Sequence, residues 1–194
     1  MPETTTGRRE RKKAQTRQAL ADAALRLFTE RGFDNVGVRE VAEAADVSLS
    51  TLFKHFPSKE ALIFDLDADI ESALVSAVRD RAPGQSALHA LRDHMASTRT
   101  AVPTDDPMFA LVESTPALRE YARRMWSRHE ESLAAALADA TGLAADDPAV
   151  AGLARFALEA PGVARASEDP ARTVRDLFAL LENGWATTVL ADGH

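Results

Sequence analysis

Residues 38–60 read Val-Arg-Glu-Val-Ala-Glu-Ala-Ala-Asp-Val-Ser-Leu-Ser-Thr-Leu-Phe-Lys-His-Phe-Pro-Ser-Lys-Glu, and no other stretch limits the fold as tightly. Val38, Val41, Ala42 and Ala45 fall at i, i+3, i+4 and i+7, which makes one apolar face of a helix over 38–45. Asp46-Val47 forms a turn, and Ser48 is a natural N-cap for a second short helix from Leu49 to about His55. Short helices joined this tightly stand at a steep angle and need a third element to cover their apolar faces. The upstream segment from about Glu10 to Arg31 provides it, because Leu20, Ala24, Leu27 and Phe28 share one stripe. Gly32 is suited to positive φ at the end of that helix, with Phe33 folding back on its last turn. The expected unit has Leu27, Phe28, Val41, Val47, Leu52 and Phe56 inside.

The rest of the chain also reads as helices. Pro57-Ser58 breaks the chain, and Ser58 caps a helix predicted to run to about Arg81 with Leu62, Leu66, Ile70 and Ala73 as its stripe, widened by Ile63, Leu74 and Val78. Further helices are expected around Ser86–Arg99, from Met108, from Pro116 to about Ala140, from Pro148, and from Pro170 to about residue 190. Pro161-Gly162 must kink or end the helix it interrupts. Strand signals are absent. The expected fold is all-α: a disordered basic arm at 1–9, a helix-turn-helix head at 10–57 reaching into the next helix to about 66, and a second helical domain over 58–194.

Charge is unevenly placed. The net charge is −7, yet residues 1–60 carry eleven Lys+Arg against nine Asp+Glu, and all four lysines lie there (Lys12, Lys13, Lys54, Lys59). Such asymmetry points to nucleic-acid contact by the basic part. With no cysteine, disulfides and thiolate metal sites are excluded. No apolar run approaches a membrane span and no secretory signal is recognisable, so the expected location is cytoplasmic, at the nucleoid. The five histidines form no His-Glu-x-x-His motif, and there is neither a phosphate-binding glycine loop nor a nucleophile elbow. Asp65, Asp67, Asp69 and Glu71 spread around a helix as a solvated face, and His89 and Asp93 at i, i+4 read as a surface pair. Neither an enzyme, a cofactor nor a metal is expected.

The second short helix has the chemistry of a DNA reader. Base edges need donors and acceptors, and thymine methyls need apolar contact. Ser50, Thr51, Lys54 and His55 meet the first need and Leu49 the second, with Phe53 on the same outward face and Ser48 at its start. Phosphates need cations and helix N-termini. Gly37 and Arg39 at the start of the first short helix, Lys59 after the second, and the arm Arg8-Arg9-Glu10-Arg11-Lys12-Lys13 are placed to supply them.

The order and spacing of Ala23-Ala24-Leu25-Arg26-Leu27-Phe28, Arg31-Gly32-Phe33, Val41-Ala42-Glu43-Ala44-Ala45, Val47-Ser48 and Thr51-Leu52-Phe53-Lys54-His55-Phe56-Pro57-Ser58-Lys59-Glu60-Ala61-Leu62 closely resemble the TetR family of one-component transcriptional regulators. The likeness spans roughly residues 12–66 and implies an all-α homodimer, usually a repressor released from double-stranded DNA by a small ligand. Three positions depart from the pattern. Gly37 stands where Thr or Ser often caps the helix, Asp46 replaces the turn glycine, and Phe53 replaces a tyrosine. The departures at Gly37 and Phe53 keep an alternative open: a helical dimeric interaction protein with a weakened DNA-reading head. Residues 111–119, Leu-Val-Glu-Ser-Thr-Pro-Ala-Leu-Arg, resemble a subgroup similar to mycofactocin-system regulators and imply an acyl-CoA-like effector.

For such an effector the candidate lining is Met95, Phe109, Tyr121, Met125, Trp126, His129 and Phe156, which supply apolar and aromatic surface with a few polar tips. The last two helices would pair with their copies, with Leu177, Leu181, Trp185 and Val189 as the dimer face. Two copies also suit an inverted-repeat operator, since one helix reads only a few base pairs.

Overall fold

Caps and breakers place most of the helix boundaries. The structure, a computed structural model, describes residues 5–98 and 106–183. Among the described residues the helices are α1 (Thr5–Arg31), α2 (Val38–Ala44), α3 (Leu49–His55), α4 (Asp67–Arg79), α5 (Ala87–Thr98), α6 (Pro107–Ser114), α7 (Pro116–Thr141), α8 (Pro148–Ala164) and α9 (Pro170–Asn183), with no strand. Short 3-10 turns occupy Phe33–Asn35 and Glu60–Leu62. Asp106 and Asp147 cap α6 and α8 through their carboxylates at 2.8 and 2.9 Å, each followed by Pro in the first turn.

Three expectations need correction, and one alternative is decided. The arm expected to be disordered over 1–9 is already helical from Thr5, so the cations of 8–13 project from the opening turns of α1. The helix expected from Ser58 to Arg81 is interrupted. Ser58 caps only the 3-10 turn, through Ala61 N–H at 3.3 Å, and residues 63–66 are irregular before α4 begins at Asp67. Arg17 takes the Asp65 carbonyl and the Phe64 ring stacks on Tyr121 at 5.2 Å, so both are engaged outside a helical ladder. Burial changes there too: Leu62 and Ile63 are buried, whereas Leu66 is 54% exposed. Of the two outcomes expected at Pro161, a kink or an end, the end does not occur, since α8 runs through it to Ala164 with the ring buried. Finally, His89 pairs with Glu182 of α9 at 2.9 Å, while Asp93 is bonded to Arg92 and Gln85.

Two compact units result. The first comprises the described residues of 1–68 together with those of 105–123; the second comprises the described residues of 69–104 and 124–194. The core of the first joins Leu20, Ala24, Phe28, Val41, Leu52, Phe56 and Leu62 to Leu111, Val112 and Leu118. Thus α6 and the opening turns of α7 pack with the N-terminal helices, although they are far from them in sequence and were expected within the 58–194 domain. In the second unit Leu74, Val78, Leu91, Met95, Leu133, Leu137, Val174 and Phe178 surround α8, whose Ala154, Ala157, Ala160 and Ala164 allow close helix approach.

Candidate nucleic-acid interface

The turn between α2 and α3 closes through Val47 N–H to the Ala42 carbonyl at 2.9 Å. That path puts Asp46 at φ 53, a left-handed conformation that aspartate tolerates better than most residues. Ser48 then starts α3: its Oγ accepts from Thr51 N–H at 3.2 Å and lies 2.8 Å from Thr51 Oγ1 and 3.0 Å from Ser50 Oγ. Leu52 and Phe56 are fully buried beneath α3 and fix its rotation. Ser48, Ser50, Phe53 and Lys54 are therefore exposed, whereas Leu49, Thr51 and His55 are half-buried. One solvent-facing side of a two-turn helix presents a hydroxyl cluster, a phenyl ring and an ammonium group.

Gly37 caps α2 without a hydroxyl. Its own N–H donates to Glu40 Oε1 at 2.9 Å, and Arg31 clamps the same carboxylate at 2.7 Å. The Gly37 N–H bond, then the Arg31 guanidinium, hold the Glu40 carboxyl below its usual range. Arg39, in the first turn of α2, is exposed beside this cap.

Arg17 was not among the expected site residues, and it braces the reader. Its guanidinium donates to the His55 carbonyl at 3.1 Å and to the Asp65 carbonyl, and sits 4.5 Å from the Phe56 ring centroid. One side chain so ties α1 to the end of α3 and to the strap before α4. The signal was present in sequence, because Arg17 continues the Leu20–Ala24 stripe by three residues, where a charge is out of place.

Two expected contact residues carry perturbed charge. Lys59 was expected at phosphate; instead its Nζ donates to the Phe33 carbonyl at 2.5 Å and lies 4.1 and 5.3 Å from the Phe33 and Phe28 ring centroids. Burial there pushes its ammonium down, against the pull of Asp34, Glu60 and Glu40. His55 is likewise pushed down, first by burial and then by the positive charges of Arg17 and Lys13.

The candidate effector residues are not gathered in one unit. Phe109 and Tyr121 belong to the first, and Met95, Met125, Trp126, His129 and Phe156 to the second. Met95, Met125 and His129 are buried; Trp126 meets His129 edge-on at 5.0 Å, and Phe156 meets Phe178 edge-on at 5.6 Å. A depression of about 450 Å³ at the α4–α5 turn, lined by Arg79, Arg81 and Gln85, is polar and open and contains none of them. Of the expected dimer face, Leu177 is half-buried and Leu181 is 45% exposed, while Trp185 and Val189 lie outside the described residues. Val163 on α8, 66% exposed, was not anticipated.

The family model for bacterial regulatory proteins of the tetR family matches residues 20–66, which covers α2, α3 and their supports. The regulator TcmR of Streptomyces glaucescens is 33% identical over 152 residues, covering 73% of this chain and 67% of TcmR. The chain belongs to the TetR family. It is thus a DNA-binding transcriptional regulator and not an enzyme. The mycofactocin biosynthesis regulator MftR of Mycobacterium tuberculosis is 27% identical over 140 residues, 68% of this chain and 69% of MftR. Among solved structures, Thermus thermophilus FadR, a TetR-family repressor crystallised with lauroyl-CoA, aligns with a TM-score of 0.55 at 23% identity over 87% of this chain and 94% of that one. That likeness concerns the fold. In this TetR regulator the family match coincides with the helices that carry the exposed hydroxyl, phenyl and ammonium groups.

Proposed function

We propose that this protein is a homodimeric repressor that reads an inverted-repeat operator through α3 and leaves it when a small apolar effector binds. The carrying observation is the exposed face of α3, with Ser50, Phe53 and Lys54 free of the core while Leu52 and Phe56 anchor the helix from below. Ser48, Leu49, Thr51 and His55 complete the surface, and Gly37 and Arg39 at the start of α2, with the cations of α1, meet the backbone. Lys59 supports the reader from inside. The effector reading is supported by the Trp126–His129 pair in the second unit, where an aromatic wall adjoins a polar ring. An acyl-CoA-like molecule is the effector class proposed, from the resemblance of residues 111–119 and the relation to MftR. Exposed Leu181 and Val163 support pairing of α8 and α9 with a second copy, and the protein would act at the nucleoid. Effector binding shifts the population toward a dimer whose two readers no longer fit successive major grooves.

The alternative, an interaction protein with a weakened head, rests on Gly37 and Phe53. The Gly37 N–H is bonded to Glu40 and Phe53 leaves the packing of α3 undisturbed, so no observation favours it. Selection of random duplex DNA on the purified protein at two salt concentrations tests the proposal. Enrichment of an inverted repeat with salt-sensitive affinity supports it; no enrichment at low salt refutes it.

A further inference from the structure

We infer that Phe53 is a specificity residue that recognises the C5-methyl of a thymine in each half-site. The inference rests on the reading above and goes further, since it names the base feature that α3 selects. Sequence chemistry alone assigns thymine contact to Leu49, but the structure half-buries Leu49, buries Leu52 and leaves Phe53 50% exposed, the most exposed large apolar residue of α3. Leu49 and Phe53 are one turn apart, so they form an apolar edge along α3. Ser50 and Lys54, also one turn apart, form the neighbouring polar edge.

A phenyl ring neither donates nor accepts a conventional hydrogen bond. Pressed against a guanine, adenine or cytosine edge in the major groove, it would cover donors and acceptors without satisfying them, which is unfavourable. The thymine methyl is the one apolar group on a base edge there. A reader with one polar and one apolar edge therefore discriminates by both, and a phenol at position 53 would lose part of that selectivity by carrying a hydroxyl. The departure from tyrosine is in this account a change of what is read.

The test replaces each thymine of the selected operator by deoxyuridine, which removes only the methyl group. Burial of one methyl predicts about a fourfold loss of wild-type affinity for one half-site and on the order of tenfold for both. Phe53→Ala, an exposed position that leaves the core intact, should bind the thymine and uracil operators equally. Circular dichroism and the melting temperature confirm that the variant folds. The inference is overturned if no uracil position weakens the wild type, or if the penalty persists in Phe53→Ala. It is also overturned if Phe53→Ala weakens all sequences alike, which would place the ring on the sugar-phosphate backbone. A protein that selects no operator at all refutes the regulator reading itself, a result distinct from these.

Discussion

Lys59→Met separates an internal brace from a phosphate contact. Methionine keeps most of the stem over Phe28 and Phe33 but removes the donor to the Phe33 carbonyl at 2.5 Å and the ammonium 4.1 Å from the Phe33 ring centroid. A hydrogen bond from a charged donor contributes about 1.5–3 kcal/mol, and the lower end applies to a half-buried group. The cation–π contact adds about 0.5–1 kcal/mol. The expected loss is thus about 2 kcal/mol, with the retained apolar stem offsetting part of the gross sum. For a chain of this length that corresponds to a fall in melting temperature of roughly 4–8 °C. Urea unfolding followed by circular dichroism gives the free energy, and DNA affinity against salt gives the number of phosphates engaged. The slope should stay at its wild-type value, because no phosphate partner is lost. Lys54→Met, at an exposed position, should change stability by less than about 0.5 kcal/mol while altering DNA binding. The reasoning is refuted if Lys59→Met leaves stability unchanged and lowers the salt slope by about 0.9 per subunit, the mark of a lost phosphate contact.

Arg17→Met should loosen α3 selectively: amide hydrogen exchange in 49–56 rises several-fold while α8 is unaffected, and uniform exchange across both would show that the two carbonyl bonds position nothing. His55 has a folded-state pKa below its reference of 6.5, so the unfolded chain binds more protons between the two values, and stability falls as pH drops through that window. The urea midpoint of the wild type should therefore decline more between pH 7.5 and 5 than that of His55→Gln; equal declines would show that the histidine is not desolvated. Asp46→Ala at φ 53 should cost about 1 kcal/mol, whereas Asp46→Gly should be neutral or stabilising, and a neutral alanine in urea unfolding would mean that the turn relaxes.

The head was legible where its determinants are local. The limits of α3 follow from Ser48 as cap and Pro57 as breaker, and the Leu52–Phe56 spacing sets which side faces out. The inward partners of Lys59 were hidden because a cation just past α3 looks exposed until the rings of Phe28 and Phe33 are brought beneath it, twenty-six residues or more away in sequence. The break at 63–66 was hidden because the apolar stripe stays in helical register through it, while the groups that hold it open, Arg17 and Tyr121, come from other helices. The place of α6 and the start of α7 with the head depends on Leu111, Val112 and Leu118 meeting a core about fifty residues or more upstream, which periodicity does not encode. The effector residues were the least legible, since a methionine or aromatic at helical spacing is equally a core residue, as Met95 proves to be.

The central claim is that two copies of α3 read an inverted repeat in successive major grooves. The most direct measurement compares affinity for the selected operator with affinity for the same operator carrying an insertion of about half a helical turn between its half-sites. The account predicts that the insertion turns one half-site to the far side of the duplex and reduces affinity to that of a single half-site, with one dimer still bound per duplex at saturation. Undiminished affinity for the inserted operator would contradict it.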